Sequence, residues 1–91
     1  MWADRYGLPV MEFDPTRPKW QQIADVVRHR IATGAYPPHH LVSEVQLEGE
    51  FGVTRTTVRK ATAALREEGL IVTTPGMGSF VRESNERQGD D

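Results

Sequence analysis

The feature that most restricts the fold of this chain is the spacing of two helix-capping residues around a glycine, between Ser43 and Thr54. Ser43 is followed three residues later by Gln46, the pattern of a capping box at a helix N-terminus. Gly52 suits a C-terminal stop, and Thr54 suits a second N-cap. The segment therefore predicts a short helix over 44–51 and, after a link of only a few residues, another helix directly behind Thr54.

The second helix of this pair is predicted over 55–68, because apolar residues recur at helical spacing until Gly69 provides a Schellman-type stop. A longer helix is predicted upstream, over 18–33. Pro18 suits its first turn, and Gly34 suits its C-terminal end. The apolar residues that recur at helical spacing within it are Trp20, Ile23, Ala24, Val27 and Ile31. One helix therefore precedes the closely joined pair.

The residues after the helix pair have the pattern of a β-hairpin. Two short β-prone runs, 70–74 and 79–82, flank a glycine-containing turn at 75–78. Leu41 and Val42 are predicted to form a very short additional strand. A helix-turn-helix unit followed by a hairpin is a winged helix. The predicted fold class is therefore mainly α with a small β-hairpin, a winged helix-turn-helix of three helices plus a wing.

The chain of 91 residues suits one small domain with a thin core. Its predicted parts are an N-terminal arm over 1–17, the winged-helix domain over 18–82 and a disordered acidic tail over 83–91. Phe13 and Trp20 are expected to pack part of the arm. Residues 1–8 are equally compatible with a frayed terminus.

Charge is unevenly distributed along the chain, although the formal net charge is only −2. The stretch 51–66 contains no acid and four cations, which are Arg55, Arg59, Lys60 and Arg66. Acids are concentrated elsewhere, and we interpret Glu44, Glu48 and Glu50 as a solvated helix face rather than as catalytic carboxylates. A docking surface depends on such a local field more than on the total charge.

The composition disfavours several classes of function. The chain has no cysteine, which excludes disulfides, a thiol nucleophile and a thiolate metal site. We interpret His39 and His40 as a solvated loop pair rather than as metal ligands. No catalytic set can be argued from spacing, so neither an enzyme activity nor a cofactor is predicted. No apolar run approaches the ~20 residues of a membrane span, so we expect a cytoplasmic protein without a membrane partner.

The helix predicted over 55–68 has an outward face of hydroxyls and cations. Its buried face is centred on Val58, and the residues sharing that face are Ala61, Thr62 and Leu65. The outward and flanking residues are Arg55, Thr56, Thr57, Arg59 and Lys60. Hydroxyls and helix N-terminal amides bind phosphate oxygens, and an arginine fork pairs with guanine in the major groove. This face therefore predicts binding to double-stranded DNA.

The turn of the hairpin is a second candidate contact with DNA. Gly76 and Gly78 flank Met77, and glycine permits both a positive φ and a close approach of the backbone to a ligand. The same residues also suit an ordinary hairpin turn, and the two interpretations are compatible. A nucleotide-binding loop is excluded because neither the lysine nor the following helix of that motif is present.

In these residues the chain resembles the GntR-type winged-helix bacterial transcription regulators, over roughly 18–81. The similarity rests on WQQIADVVRHRIATGAYPP, on LVSEVQLEGEFGVTRTTVRKATAALREEGL and on PGMGSFV. It implies that Arg55 reads bases and that Thr56, Thr57 and Arg59 contact the DNA backbone or neighbouring bases. It also implies that Gly76 approaches the minor groove and that Ser43 offers its helix terminus to a phosphate.

Four positions depart from the family pattern. Val42 replaces a proline, and His39 replaces a glycine of the preceding turn. Val45 replaces a DNA-contacting arginine, so one groove contact is lost or is made by Gln46 instead. Glu48 replaces a small residue, and its acid either turns away from DNA or weakens binding. Family members usually continue into a C-terminal effector-binding and dimerising domain, so this chain is either a short regulator or a DNA-binding fragment.

We therefore predict a sequence-specific double-stranded DNA-binding transcriptional regulator, a repressor on a palindromic operator. Two copies would place the 55–68 helix in the major groove and the wing at the minor groove, with little or no dimer in the absence of DNA. The predicted contact residues are Ser43, Gln46, Thr54, Arg55, Thr56, Thr57, Arg59, Lys60, Gly76, Met77 and Gly78. The alternative is a winged-helix protein–protein interaction module, which the acidic total charge and Val45 favour.

Overall fold

A computed structural model describes residues 12–83 and contains every element predicted within them. The elements are α1 (Lys19–Thr33), α2 (Glu44–Phe51), α3 (Arg55–Glu67), β1 (Ile71–Thr74) and β2 (Gly78–Val81). Their bounds differ from the predicted ones by at most one residue at an end, which is the usual uncertainty of a helix or strand terminus. The parts of the predicted arm at 1–11 and of the predicted tail at 84–91 lie outside the described residues.

The core lies where α1 packs across α3 and the hairpin closes one end. Each helix contributes side chains from a single face, as the spacing predicts. The large side chains that are almost completely buried are Ile23, Val27, Leu47, Val58, Leu65, Ile71 and Val81. Thr62 also lies on the inner face of α3, and its hydroxyl donates to the Arg59 carbonyl at 3.1 Å. The outer face of α3 is thereby left exposed.

The two capping residues act as predicted. The Ser43 hydroxyl accepts a hydrogen bond from the Gln46 amide at 3.1 Å, and the Thr54 hydroxyl accepts one from the Thr57 amide at 3.4 Å. Between the helices, Gly52 has a φ of 66°, and its amide donates to the Glu48 carbonyl at 2.9 Å. These bonds satisfy backbone groups that a helix end leaves unpaired, and they give α2 and α3 a fixed, short connection.

The end of α3 is a Schellman motif, also as predicted. The Leu70 amide donates to the Leu65 carbonyl and the Gly69 amide to the Arg66 carbonyl, each at 3.0 Å. Gly69 has a φ of 79°, the left-handed conformation that this motif requires. The chain therefore leaves α3 sharply and enters β1 directly.

The wing is an antiparallel hairpin in which Ile71 pairs with Val81 and Thr74 with Gly78. The predicted short strand at Leu41 is present as a single bridge to Phe80, so the segment before α2 runs beside β2. On the other side, the Arg66 guanidinium donates to the Thr73 hydroxyl at 2.9 Å. The wing is thus held both by the N-terminal approach to α2 and by the C-terminal part of α3.

His39 occupies the only left-handed backbone position that is not a glycine among residues 12–83, with a φ of 71°. Such a conformation costs an ordinary L-residue roughly 1–2 kcal/mol. The His39 ring lies 3.0 Å from the Glu83 carboxylate. The histidine therefore occupies a backbone conformation that favours glycine, the residue that the family pattern has here.

The residues just before α1 are packed through a buried glutamine of that helix, Gln22. The Gln22 side chain accepts from the Asp14 amide and donates to the Asp14 carbonyl, both at 2.8 Å. As expected, Phe13 and Trp20 pack against the core, and the Phe13 ring lies 6.3 Å from that of Phe51. A buried amide is stable only with such partners, so Gln22 ties residues 13–17 to α1.

Candidate nucleic-acid interface

The predicted contact residues lie at the N-terminal end of α2, in the first half of α3 and in the wing. Ser43 and Gly78 line one groove, whereas Lys60 lines a separate groove beside Trp20 of α1. An open groove of about 300 Å³ joins the start of α2 to the base of the wing. It is lined by Leu41, Val42, Ser43, Glu44, Val45, Thr73, Gly78 and Ser79. Two ion pairs, Glu48–Arg55 and Glu44–Arg59, join α2 to α3. The structure therefore brings together residues that are more than thirty positions apart, such as Ser43 and Gly78.

Arg55 is the first residue of α3 and forms an ion pair with Glu48 of α2. Its Nε donates to Oε2 of Glu48 at 3.3 Å. The Arg55 side chain is 57% exposed, whereas that of Glu48 is only 27% exposed. The cation is therefore the outer member of the pair, and the carboxylate lies behind it. Arg55 remains available to a ligand on the outer face.

Arg59 repeats this arrangement one helical turn further along α3. Its Nε donates to Oε1 of Glu44 at 3.3 Å, with 63% of the arginine side chain and 33% of the glutamate side chain exposed. Residues four apart on a helix lie on the same side. The two acids of α2 and the two arginines of α3 are both spaced by four, and they therefore meet as two parallel pairs.

These pairs correct the interpretation of the α2 acids as a solvated helix face. Glu44 and Glu48 each contact an arginine of α3, and Glu50 forms an ion pair with Arg30 of α1. The outward face of α3 is likewise not free of acids once α2 is folded against it. The acids of α2 and the arginines of α3 share a spacing of four residues in the sequence. Only the packing of the two helices shows which acid meets which cation.

The threonines around the start of α3 have different roles. Thr54 and Thr57 lie with their hydroxyl oxygens 3.3 Å apart, within the cap of the helix. Thr56 is exposed and takes no part in the two cap contacts between Thr54 and Thr57. Its position in the first turn of α3 suits contact with a phosphate.

The N-terminal end of α2 presents an apolar residue where the family pattern has an arginine. Val45 is 68% exposed, and Gln46 beside it is also exposed. Ser43 is half-buried with its hydroxyl committed to the cap. The end of this helix can still receive a phosphate through its amides, while the side chain next to it offers no charge.

The wing turn exposes backbone rather than charge. Gly76 has a φ of 79° behind Pro75, and the Met77 amide donates to the Thr74 carbonyl at 2.9 Å. Met77 is 70% exposed. Gly78 has a φ of 121°, and a Cβ added there would lie 3.1 Å from the Leu41 side chain. Both glycines are therefore required by the turn itself.

The two remaining cations of the 51–66 stretch, Lys60 and Arg66, have different surroundings. Arg66 is used to hold Thr73 of the wing, so it is a structural residue. Lys60 is exposed on the outer side of α3, as predicted. The predicted basic face is thus narrower than the sequence indicates and is concentrated at Arg55, Arg59 and Lys60.

The two histidines of the loop before α2 differ from the predicted solvated pair. His40 is half-buried and stacks on the Tyr36 ring at 4.2 Å, whereas His39 is exposed. Within residues 12–83 no three acids or histidines are grouped closely enough to hold a metal ion. In the same part of the chain, no helix combines the length and apolar character that a bilayer crossing requires.

Comparison with known proteins identifies similar DNA-binding regions. The family model described as bacterial regulatory proteins, gntR family, matches residues 19–81. A curated HTH-type transcriptional regulator of Rhizobium meliloti is 45% identical over 67 residues, which are 72% of this chain and 28% of the relative. The histidine utilization repressor of Pseudomonas aeruginosa is 34% identical over 82 residues, which are 89% of this chain and 33% of the relative.

Among solved structures, the DNA-binding domain of AraR in complex with its operator ORX1 is similar to this fold. The TM-score is 0.73 at 33% identity, over 81% of this chain and 95% of that one. By contrast, the chain spans only about a third or less of the length of the curated relatives. The similarity therefore concerns the winged-helix region.

Proposed function

This chain belongs to the gntR family of bacterial regulatory proteins, and on that basis we propose that it is a sequence-specific DNA-binding transcription regulator that acts as a repressor. The proposal is supported by relatives that are named transcription regulators or repressors and by a similar domain solved on operator DNA. The whole protein's regulatory activity is part of the proposal, because the match covers only a portion of those relatives.

In the proposed complex, the N-terminal half of α3 enters the major groove, as the second helix of a helix-turn-helix does. Arg55 then points its guanidinium at the O6 and N7 of a guanine. Thr56, Arg59 and Lys60 lie beside the phosphate backbone. The helix N-terminus at the start of α2 receives a phosphate of the adjoining strand, which would fix the register of α3 in the groove.

The wing completes the proposed surface at the neighbouring minor groove. Gly76 and Gly78 keep the turn thin, and Met77 is the exposed side chain of the turn. Since Arg66 holds the wing to α3, the distance between the two contacts is set within the domain. The wing therefore adds affinity without a cation of its own at residues 75–78.

Two copies would bind the two halves of a palindromic operator. A single domain with few phosphate-binding cations binds DNA weakly, because phosphate neutralisation supplies most of the affinity. Occupying both half-sites raises the effective affinity through proximity. We propose that the homodimer forms on the operator and is weak or absent without DNA.

The observation that carries the proposal is the exposure of Arg55 and Arg59 on one side of α3, each above a less exposed carboxylate. A surface that only served solubility has no need for two matched arginines at the start of a helix. The arrangement suits a helix that is to face a polyanion with defined side-chain positions.

The test is a selection of bound sequences from random duplexes, followed by titration of the enriched duplex at about 50 and 200 mM salt. Arg55→Ala should lose about 1–3 kcal/mol of discrimination at one guanine position. The control is Arg28→Ala, which removes an equal charge from a residue paired with Asp25 and Glu68. Failure to enrich any sequence, or unchanged base preference in Arg55→Ala, contradicts the proposal.

A further inference from the structure

The contact between Arg55 and Glu48 is made through the Nε side of the guanidinium. The arginine uses Nε, so the contact leaves its two terminal amino groups uncommitted to the carboxylate. Those two groups form the end-on fork that pairs with a guanine edge. Glu48 therefore holds the side of the guanidinium without occupying the atoms that would read a base.

The position of Glu48 also limits what it can contact itself. Its side chain is 27% exposed and lies in the second turn of α2, behind the 57% exposed Arg55. A carboxylate at the front of the surface would repel phosphates directly. At this depth its main neighbour is the arginine, so its influence on DNA acts through Arg55.

We propose that Glu48 is a positioning residue that biases Arg55 towards reading bases and away from binding phosphates. The inference rests on the proposed DNA binding. The carboxylate restricts the orientation of the guanidinium and offsets part of its charge. Both effects reduce the attraction of Arg55 to any nearby phosphate, whereas the fork remains directed by its Nε contact. The expected consequence is weaker non-specific binding and stronger discrimination.

The size of the effect follows from the exposure of the pair. A solvent-exposed ion pair of this kind contributes about 0.2–1 kcal/mol of interaction free energy, a factor of roughly 1.4 to 5 in an equilibrium constant. Glu48 therefore does not prevent Arg55 from reaching DNA. Its contribution is a modest bias between two ways in which the same arginine can bind, which predicts a change in selectivity rather than a loss of binding.

The first experiment measures the restraint without DNA. In the free chain, the Arg55 Nε–H signal in a ¹H–¹⁵N spectrum should be protected from exchange, and protection should disappear in Glu48→Ala. The Arg59 signal, held by Glu44, is the internal reference and should not change. Equal exchange of Arg55 Nε–H in the wild-type and variant chains would overturn the positioning role, whatever the chain does with DNA.

The second experiment measures selectivity with the selected duplex and an unrelated duplex. Glu48→Ala should lower the ratio of the two affinities by about 1.4- to fivefold. It should also steepen the salt dependence on the unrelated duplex by about one phosphate contact, a slope change of ~0.9. Glu48→Gln keeps an acceptor for Nε, so its affinity ratio should lie between those of the wild type and Glu48→Ala.

The matched control is Glu67→Ala, which removes the same charge at the far end of α3, about 18 Å from Arg55 at ~1.5 Å per residue. It should leave the affinity ratio unchanged. If the wild-type chain enriches a sequence and Glu48→Ala keeps the same ratio and salt slope, the inference alone fails. If the wild-type chain enriches no sequence, the proposed function fails and the inference fails with it.

Discussion

At the scale of single residues, the threonines at the start of α3 show how one residue type serves both the fold and the proposed interface. Threonine is a poor helix former because its branched Cβ restricts the side chain. Thr54 avoids that cost by capping the helix, and Thr57 lies within the same cap. Thr56 has no such compensation in the cap and is exposed. Its hydroxyl is therefore better explained by a ligand than by stability.

This difference predicts opposite effects of two alanine substitutions. Thr54→Ala should lower the free energy of unfolding by about 1 kcal/mol, because the cap is lost. Thr56→Ala should leave it unchanged or raise it by up to ~0.7 kcal/mol, since alanine is the better helix former. Thr56→Ala should nevertheless weaken DNA binding by about 0.5–1.5 kcal/mol. Urea denaturation and fluorescence anisotropy measure the two quantities, and a parallel loss of both in Thr56→Ala would contradict the assignment.

His39 supports a second prediction at this scale. Glycine avoids the cost of a positive φ, roughly 1–2 kcal/mol for other residues, but loses about 0.5–1 kcal/mol more backbone entropy on folding. His39→Gly should therefore raise the free energy of unfolding by about 0.5 kcal/mol. His40→Gly is the control and should lower it, because His40 stacks on Tyr36 and is not in the left-handed region. Equal effects in urea denaturation would show that the backbone is not strained.

At the scale of elements, the caps and glycine stops were predictable because they depend on residues within one turn of each other. Ser43 and Thr54 mark the starts of α2 and α3, and Gly69 marks the Schellman stop, as the structure confirms. The pairs Glu48–Arg55 and Glu44–Arg59 were not predicted, because they depend on the angle and register at which two helices pack. Gln22 was missed for a different reason, since its partners belong to a non-helical segment whose path residue spacing does not predict.

A further set of exposed contacts links α1 to the end of α3. Arg28 bridges Asp25 of its own helix and Glu68 beyond α3, with N–O distances of 2.7 and 2.6 Å. Hydrogen bonds from Arg17 and Arg28 lower the pKa of Asp25, and that from Arg28 lowers the pKa of Glu68. These side chains are well exposed, so each pair contributes little. The cluster lies at the C-terminal end of α3, away from Arg55 and Arg59.

At the scale of the whole molecule, the acidic total charge and a polyanionic ligand are compatible because the charges are spatially sorted. Acids of α2 that seemed unfavourable for DNA binding lie behind Arg55 and Arg59, and the acid at Glu50 is paired with Arg30. At the start of α3 the arginine of each pair is more exposed than its carboxylate. Net charge is a poor guide to a docking surface when its charges are paired across elements.

The most direct test of the proposed surface is a chemical-shift map of the ¹⁵N-labelled chain titrated with its selected duplex. The largest amide shifts should occur at the start of α2, in the first half of α3 and at residues 75–78, with little change along α1. Such a pattern would support the joint use of both helices and the wing. Shifts confined to α1 and residues 12–17, or no response to any duplex, would contradict the account and favour a protein-interaction module instead.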